Sequence, residues 1–382
     1  MTSFWEILKA SKGLSHEPFA CLAAQSMAGG KVAELSGIPP LSFLSNGKPL
    51  VEYQIDGKTV QNGTPTPESP IDVWGVGDRT ANLAPPLTEW VDGYVSGNGN
   101  IATPSPVNME KSSDFLDIPD SAVSATFTRE DGRFEVGSAG VWWGIGFYDS
   151  NKAFVSRETG GVAVASASVP ESAKFMRVSC RTYGSDKEYM LNLGSAALPY
   201  EPYGYKIPIS SNGTVAATLY LSSPLYGTGD VFDEYDSTGK IVRKWYELVL
   251  TGEETFTATM AAGHHRCHMK LVPNAIAQNA TRVLSTHYRP SGGAGHGAIA
   301  LTSEGTNVFF YDDTNAVTDE AFKAYLAAQY AAGTPVTVVY QLATPTEESI
   351  SAPQISTVKG TNLLSVDTAV QPSNVSIKYN LK

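Results

Sequence analysis

Apolar and polar residues alternate along much of this 382-residue chain, which is the pattern of β-strands that bury one face. In residues 141–148 the large apolar side chains fall on one face of a strand, while two glycines and two aromatic residues fall on the other. Similar alternation recurs in residues 176–180, 336–342 and 375–381. Turn dipeptides such as Asn46-Gly47 separate apolar runs. Many short strands at this spacing predict a mainly β protein built from β-sandwich or jelly-roll modules.

Two regions carry a helical pattern instead. Residues 1–37 predict a short helical N-terminal segment, which either attaches to a partner or packs on its own domain. One further helix is predicted near residues 318–332, where Thr318 is a suitable N-cap and Gly333 and Pro335 end the pattern. Its apolar side consists of Phe322, Tyr325, Leu326 and Tyr330.

A proline-rich segment interrupts the first strands. Residues 62–73 contain three prolines, which fix φ near −65° and remove backbone donors. The segment therefore predicts a stiff extended arm rather than a helix or a central strand. Two later segments have similar sequences. Residues 344–350 begin with Thr-Pro-Thr-Glu, as the proline-rich segment has Thr-Pro-Thr-Pro-Glu, and residues 360–363 end in Asn-Leu, as do residues 80–83.

The proline-rich phrase, from Asn62 to Gly77, resembles one that recurs in virion proteins of tailed bacteriophages, especially in tail and baseplate appendages. Residues 199–204 and 229–243 are similar to segments of the same proteins. In relatives of this kind the arm passes almost directly into a segment like 206–243. The resemblance therefore implies that a jelly-roll module is inserted into an outer β domain.

This interpretation predicts that the chain is divided into four parts. Residues 1–37 form the attachment segment, and residues 38–83 form the first part of the outer β domain with its proline-rich arm. Residues 84–205 form the inserted jelly-roll-like β-sandwich. Residues 206–382 complete the outer β domain.

Composition narrows the possible partners. The net charge is −11 and no basic stripe is present, so the sequence predicts no nucleic-acid partner. Three widely spaced cysteines argue against a disulfide framework. No run approaches the roughly 20 apolar residues of a membrane span, which predicts no membrane insertion.

Signatures of catalysis and metal binding are lacking in the sequence. There is no nucleophile elbow, phosphate-binding loop or His-Glu-x-x-His motif, so neither a catalytic residue nor a cofactor is predicted. Carboxylate pairs for glycoside cleavage are set by distance in space, and the sequence leaves that option open. His264 to His268 have no recognised metal spacing and predict a plain strand. The acidic residues at 230–236 lack the spacing of a calcium loop and predict a solvated hairpin tip.

Aromatic residues supply the candidate binding site. Trp142 and Tyr148 flank Gly144 and Gly146 on the face opposite the apolar residues, where they could stack on a sugar ring above a floor without side chains. Other aromatic residues that could join them are Trp90, Tyr94 and Tyr183. The alternative is that both faces of this strand are buried in a protein interface, since aromatic enrichment marks either kind of contact.

The resemblance implies a structural, non-enzymatic virion protein in a tail fibre, tail tip or baseplate. Its expected partners are other virion proteins, further copies of itself, most simply in a trimer, and a host-surface glycan. It would be assembled in the host cytoplasm and released in the virion by lysis. The alternatives are a capsid decoration or head fibre with an architectural role, and a polysaccharide-degrading tailspike.

Overall fold

The computed structural model describes residues 52–132, 142–161, 165–211, 214–276, 282–291, 293–353, 364–366 and 374–378. The N-terminal helices predicted in residues 1–37 lie outside these ranges. Within them the prediction of a mainly β protein is confirmed.

The strands of the first half are β1 (Glu52–Asp56), β2 (Asp78–Arg79), β3 (Val91–Asp92), β4 (Tyr94–Val95), β5 (Ile101–Ala102), β6 (Glu110–Ser112), β7 (Leu116–Asp117), β8 (Ser124–Arg129), β9 (Trp143–Tyr148), β10 (Phe154–Gly160), β11 (Ala165–Ser168), β12 (Phe175–Arg181), β13 (Tyr189–Leu193) and β14 (Tyr205–Ser211). Those of the second half are β15 (Thr214–Leu221), β16 (Gly227–Thr228), β17 (Val231–Phe232), β18 (Glu234–Asp236), β19 (Lys240–Val249), β20 (Thr257–Ala261), β21 (His264–Lys270), β22 (Val283–Ser285), β23 (Arg289–Pro290), β24 (Ala298–Leu301), β25 (Asn307–Tyr311), β26 (Thr337–Ser349), β27 (Leu364–Val366) and β28 (Asn374–Lys378). A 3-10 helix spans Leu87–Glu89, and helix α1 spans Asp319–Ala331.

Two antiparallel sheets enclose the first core as a β-sandwich. One has the order β10-β9-β12-β6-β3, with β7 also paired to β12, and the other has the order β11-β8-β13. Trp143, Ile145 and Phe147 of β9 reach the core from one sheet, and Phe127 and Leu191 reach it from the other. Since these residues alternate along their strands, the inward face predicted for residues 143–147 is confirmed.

A second core lies between a six-stranded sheet, in the order β22-β26-β19-β18-β1-β28, and a smaller sheet, in the order β15-β14-β2 with β27 also paired to β14. Ile55, Tyr235 and Ile241 come from the large sheet. Ile207 and Leu219 are among the residues that oppose them. The alternation in residues 375–377 lies in β28, which pairs with β1, while residues 379–382 lie outside the described ranges.

The third core is covered by helix α1 and by a sheet in the order β20-β21-β25-β24-β23. Phe322 on the helix packs against Phe256 and Phe310, with ring centroids 5.0 and 5.4 Å apart. The predicted helix is confirmed, and its cap is the predicted one: the Thr318 hydroxyl accepts a hydrogen bond from the Ala321 amide at 3.1 Å.

The sandwich begins and ends at neighbouring points of the smaller outer sheet. β2 pairs with β14, so that Arg79 lies opposite Tyr205. Asn82, which is buried, joins the two ends: its amide nitrogen donates to the carbonyls of Tyr189 and Glu201, at 3.0 and 3.1 Å. Its amide oxygen accepts from the Leu191 amide at 3.0 Å. The four-part domain division made from the sequence stays a prediction.

The proline-rich segment is neither a helix nor a central strand, but it is not a straight arm. Thr66 and Ser69 exchange two backbone hydrogen bonds of 3.1 Å, which turns the chain back on itself. Val60 and Trp74 then pair across the resulting loop. Pro65 and Pro70 flank the reversal, and Pro67 lies within it, where its fixed φ suits a turn.

Asp233 corrects the prediction of a solvated acidic hairpin tip. Its side chain is fully buried, and its carboxylate accepts hydrogen bonds from the amides of Lys244 at 2.6 Å, Trp245 at 2.9 Å and Tyr226 at 3.0 Å. Burial raises the pKa of Asp233 to about 6, against the opposing effect of these amides and of Arg243, whose Nη1 lies 3.6 Å away. A buried carboxylate with this set of partners is a structural group.

Candidate functional site

The pleat of the larger sandwich sheet creates an outward face around β9. Because Trp143, Ile145 and Phe147 point into the core, Trp142, Gly144, Gly146 and Tyr148 point away from it. This is the arrangement predicted from the alternation in the sequence. The ring of Trp142 lies over Gly144, where an added Cβ atom would be only 3.1 Å from the ring. The glycine therefore provides the space that the indole occupies.

Strand register brings polar residues onto the same face. Arg157 on β10 lies opposite Gly146, and directly paired residues share a face. On the other side of β9, the Arg181 amide donates to the Trp142 carbonyl at 3.3 Å. Arg181 is paired in turn with Glu110 on β6.

The hairpin of β4 and β5 covers part of this face. The Val95 amide donates to the Ser179 hydroxyl at 3.0 Å, and the Tyr148 hydroxyl donates to the Gly99 carbonyl at 2.7 Å. Val95 approaches so closely that a Cβ atom on Gly146 would lie 2.7 Å from its Cγ1. The hairpin thus buries Tyr148, which is 2% exposed.

An open cleft of about 440 Å³ remains beside the hairpin. Its aromatic corner is formed by Tyr94 and Trp142, whose ring centroids are 5.5 Å apart at an interplanar angle of 78°. The residues that line the cleft are Tyr94, Thr103, Pro104, Ser105, Asn108, Glu110, Trp142, Arg157 and Arg181. The cleft therefore combines two aromatic faces with hydroxyl, amide, carboxylate and guanidinium groups.

Glu110 organises the polar side of the cleft. Glu110 is buried, at 4% exposed, and its carboxylate has three partners. It accepts hydrogen bonds from the Ser105 amide at 2.6 Å and from Asn108 Nδ2 at 2.8 Å. Arg181 Nε approaches the same carboxylate at 3.4 Å. These contacts hold the loop before β6 in place, so the cleft has a fixed shape in the unbound chain.

The five aromatic candidates fall into three groups. Tyr94 and Trp142 line the cleft together. Tyr183 lies beside it, where its backbone amide donates to the Asn108 carbonyl at 3.1 Å. Tyr148 is under the hairpin, and Trp90 lies in the sandwich core, stacked on Phe127 with centroids 6.1 Å apart. Burial leaves Tyr148 and Trp90 without a ring face for a ligand.

The polar half of the cleft has no counterpart among the residues predicted from the sequence. Arg157, Arg181, Glu110 and Asn108 come from three segments of the chain that only strand pairing brings together. Among these residues, the sequence indicates a position for Arg157 alone. Its strand β10 follows β9 after a short turn, so the two strands are expected to pair.

The histidine-rich segment forms the strand β21, as predicted. His264 Nδ1 lies 2.7 Å from the Asp313 carboxylate. Within the ranges that the structure describes, no group of three or more histidine, cysteine or acidic residues is arranged to hold a metal ion.

None of the described helices is both long enough and apolar enough to cross a membrane. Comparison of the chain with protein-family models, curated proteins and solved structures gives no match.

Proposed function

We propose that this chain is a structural protein of a tailed-bacteriophage appendage, and that its sandwich binds a glycan on the host surface. The observation that carries the glycan part of the proposal is the cleft at Tyr94 and Trp142. The phage part is supported by the resemblance of residues 62–77, 199–204 and 229–243 to virion proteins.

The chemistry of the cleft suits a sugar. A pyranose has an apolar face of C–H groups and a rim of hydroxyls, so it needs an aromatic ring beneath it and hydrogen-bonding groups around it. Trp142 and Tyr94 offer the rings, and Asn108 and Arg157 offer donors and acceptors at the edge. A volume of about 440 Å³ is within the usual size of small-ligand sites.

The same cleft favours binding over sugar cleavage. Glycoside hydrolysis generally uses two carboxyl groups about 5 to 9.5 Å apart on either side of the scissile bond. Glu110 is the single carboxylate among the lining residues, and it is already bonded to Ser105, Asn108 and Arg181. We therefore propose adhesion through many copies, each with a weak site.

Self-association is proposed from the sheet edges. Among the described strands, β15 and β20 end their sheets with one partner each, and both expose apolar side chains: Val215 is 57% and Met260 60% exposed. Open edges of this kind are templates for pairing with another chain. We expect a homotrimer, so sedimentation equilibrium of the full chain should give three times the mass of one chain. A monomer at micromolar concentration would contradict this.

A glycan array tests the binding function. Wild-type protein should bind a subset of bacterial surface glycans, and Trp142→Ala should weaken that binding about 30-fold, because loss of a central aromatic contact costs about 2 kcal/mol or more. The matched control is Trp74→Ala. Trp74 is 37% exposed and pairs with Val60 just after the proline-rich segment, outside the sandwich.

The comparison between the two tryptophan variants decides the result. Equal loss of binding in both, or equal retention in both, would contradict a site at Trp142. Absence of binding by the wild-type protein to every glycan and to host cells would contradict the proposed function as a whole.

A further inference from the structure

We infer that the sugar held in this cleft is acidic, a uronic or sialic acid residue whose carboxylate pairs with Arg157. This inference rests on the proposed function and adds the chemical class of the ligand. It is carried by the position of Arg157 among the charged groups of the cleft.

Arg157 is fixed at one end and lacks an acidic partner. Its Nη1 donates to the Val95 carbonyl at 2.7 Å, which ties the side chain to the β4–β5 hairpin. Its Nη2 lies 3.9 Å from the position that a Cβ atom would take on Gly97. Within the described part of the chain, no carboxylate lies within ion-pair distance of Arg157. A guanidinium has five N–H donors, so this one retains capacity for a ligand.

The other two charged residues that line the cleft, Arg181 and Glu110, neutralise each other. Arg181 is paired with Glu110, so the three charged residues that line the cleft leave one positive charge, that of Arg157. The whole chain carries −11. A local positive charge on a negative protein is suited to an anionic group, and arginine binds a carboxylate through two parallel hydrogen bonds.

The aromatic corner and the arginine can contact the same sugar residue. Trp142 covers Gly144, whereas Arg157 lies opposite Gly146, the next residue of β9 on that face. Gly144 and Arg157 are therefore diagonal neighbours on one face of the sheet, roughly 7–8 Å apart. One ring stacked on Trp142 can therefore direct its carboxylate to Arg157, while a neutral sugar would leave the charge unpaired.

Titration calorimetry of the full-length protein with matched saccharide pairs tests this inference. One pair is a glucuronic acid-containing oligosaccharide and its carboxyl-reduced form, and the other is 3′-sialyllactose and lactose. At least one acidic member should bind about tenfold more tightly than its neutral partner. Higher salt should reduce this preference, because it screens the ion pair.

Arg157→Gln should remove the preference, so that the acidic and the neutral member of a pair bind with about equal affinity. The control is Arg79→Gln, which makes the same change of charge at an exposed arginine outside the sandwich and should retain the preference. The wild-type comparison needs no variant, so a folding defect in Arg157→Gln would not hide the answer.

The outcomes separate the two proposals. Equal affinity for acidic and neutral partners, or a preference that persists in Arg157→Gln, would overturn the acidic-sugar inference and leave the glycan site intact. Failure to bind any member of either pair, together with an empty glycan array, would overturn both.

Discussion

Replacing Asp233 with alanine should lower the free energy of unfolding of the six-stranded sheet by about 3–5 kcal/mol, because it leaves three backbone amides without their acceptor. Its carboxylate accepts the amides of Lys244, Trp245 and Tyr226 and lies 3.6 Å from Arg243. The pairing of β19 with β26 shifts register between Arg243 and Trp245, which turns amides away from β26. Asp233 satisfies those amides, and alanine would leave them buried without acceptors.

Native-state hydrogen exchange measures this loss in peptides from β18 and β19. Asp230→Ala provides the control, because Asp230 is an exposed acidic residue three positions earlier and its loss should change stability by less than about 0.5 kcal/mol. Similar protection in the two variants would show that the carboxylate does not hold this part of the sheet together.

Replacing Phe322 with alanine should destabilise the third core by about 3–5 kcal/mol, which is the usual cost of removing a buried phenylalanine. Phe322 is fully buried and is the residue through which helix α1 meets the rings of Phe256, Phe310 and Tyr288. Truncation removes apolar burial and leaves a cavity that surrounding rings cannot close without moving.

The effect should appear in exchange protection of β21, β24 and β25, which share the core with Phe322. Tyr330→Ala on the same helix is the control, because Tyr330 is 41% exposed and its loss should cost much less. Peptides from the sandwich should keep their protection in both variants. Equal protection losses in the sandwich and in the third core would mean that the cores unfold together.

Features set by neighbouring residues could be predicted from the sequence. Alternation along residues 143–148 places Trp142 outward, and the cap at Thr318 with the following apolar residues defines helix α1. Both depend on backbone geometry within a few residues, which the sequence specifies directly.

Features set by distant contacts could not be predicted. The proline-rich segment folds back where it packs against other parts of the chain: Tyr325 Oη donates to the Pro67 carbonyl at 3.3 Å, and the Ile71 amide donates to the Thr286 carbonyl at 2.8 Å. Likewise, nothing in the acidic residues near Asp233 indicates that this one is buried, because its partners arrive from β19 and from the segment before β16.

The candidate site shows the same division. The outward position of Trp142 is predicted by the alternation in the sequence. Its partner Tyr94 is positioned by the β4–β5 hairpin, which folds onto the same face and buries Tyr148. Arg157 enters the cleft through the pairing of β10 with β9. Strand pairing depends on register and on contacts between segments, so the polar half of a site on a sheet is hidden from a single sequence.

We propose that the sandwich contacts a sugar at the corner formed by Tyr94 and Trp142. The most direct measurement is a crystal structure of the full-length protein with the best-binding saccharide of the array. We predict a sugar ring against Trp142 and Tyr94, with an acidic group at Arg157. A saccharide bound elsewhere on the chain, or a cleft that remains empty at saturating ligand, would contradict the claim.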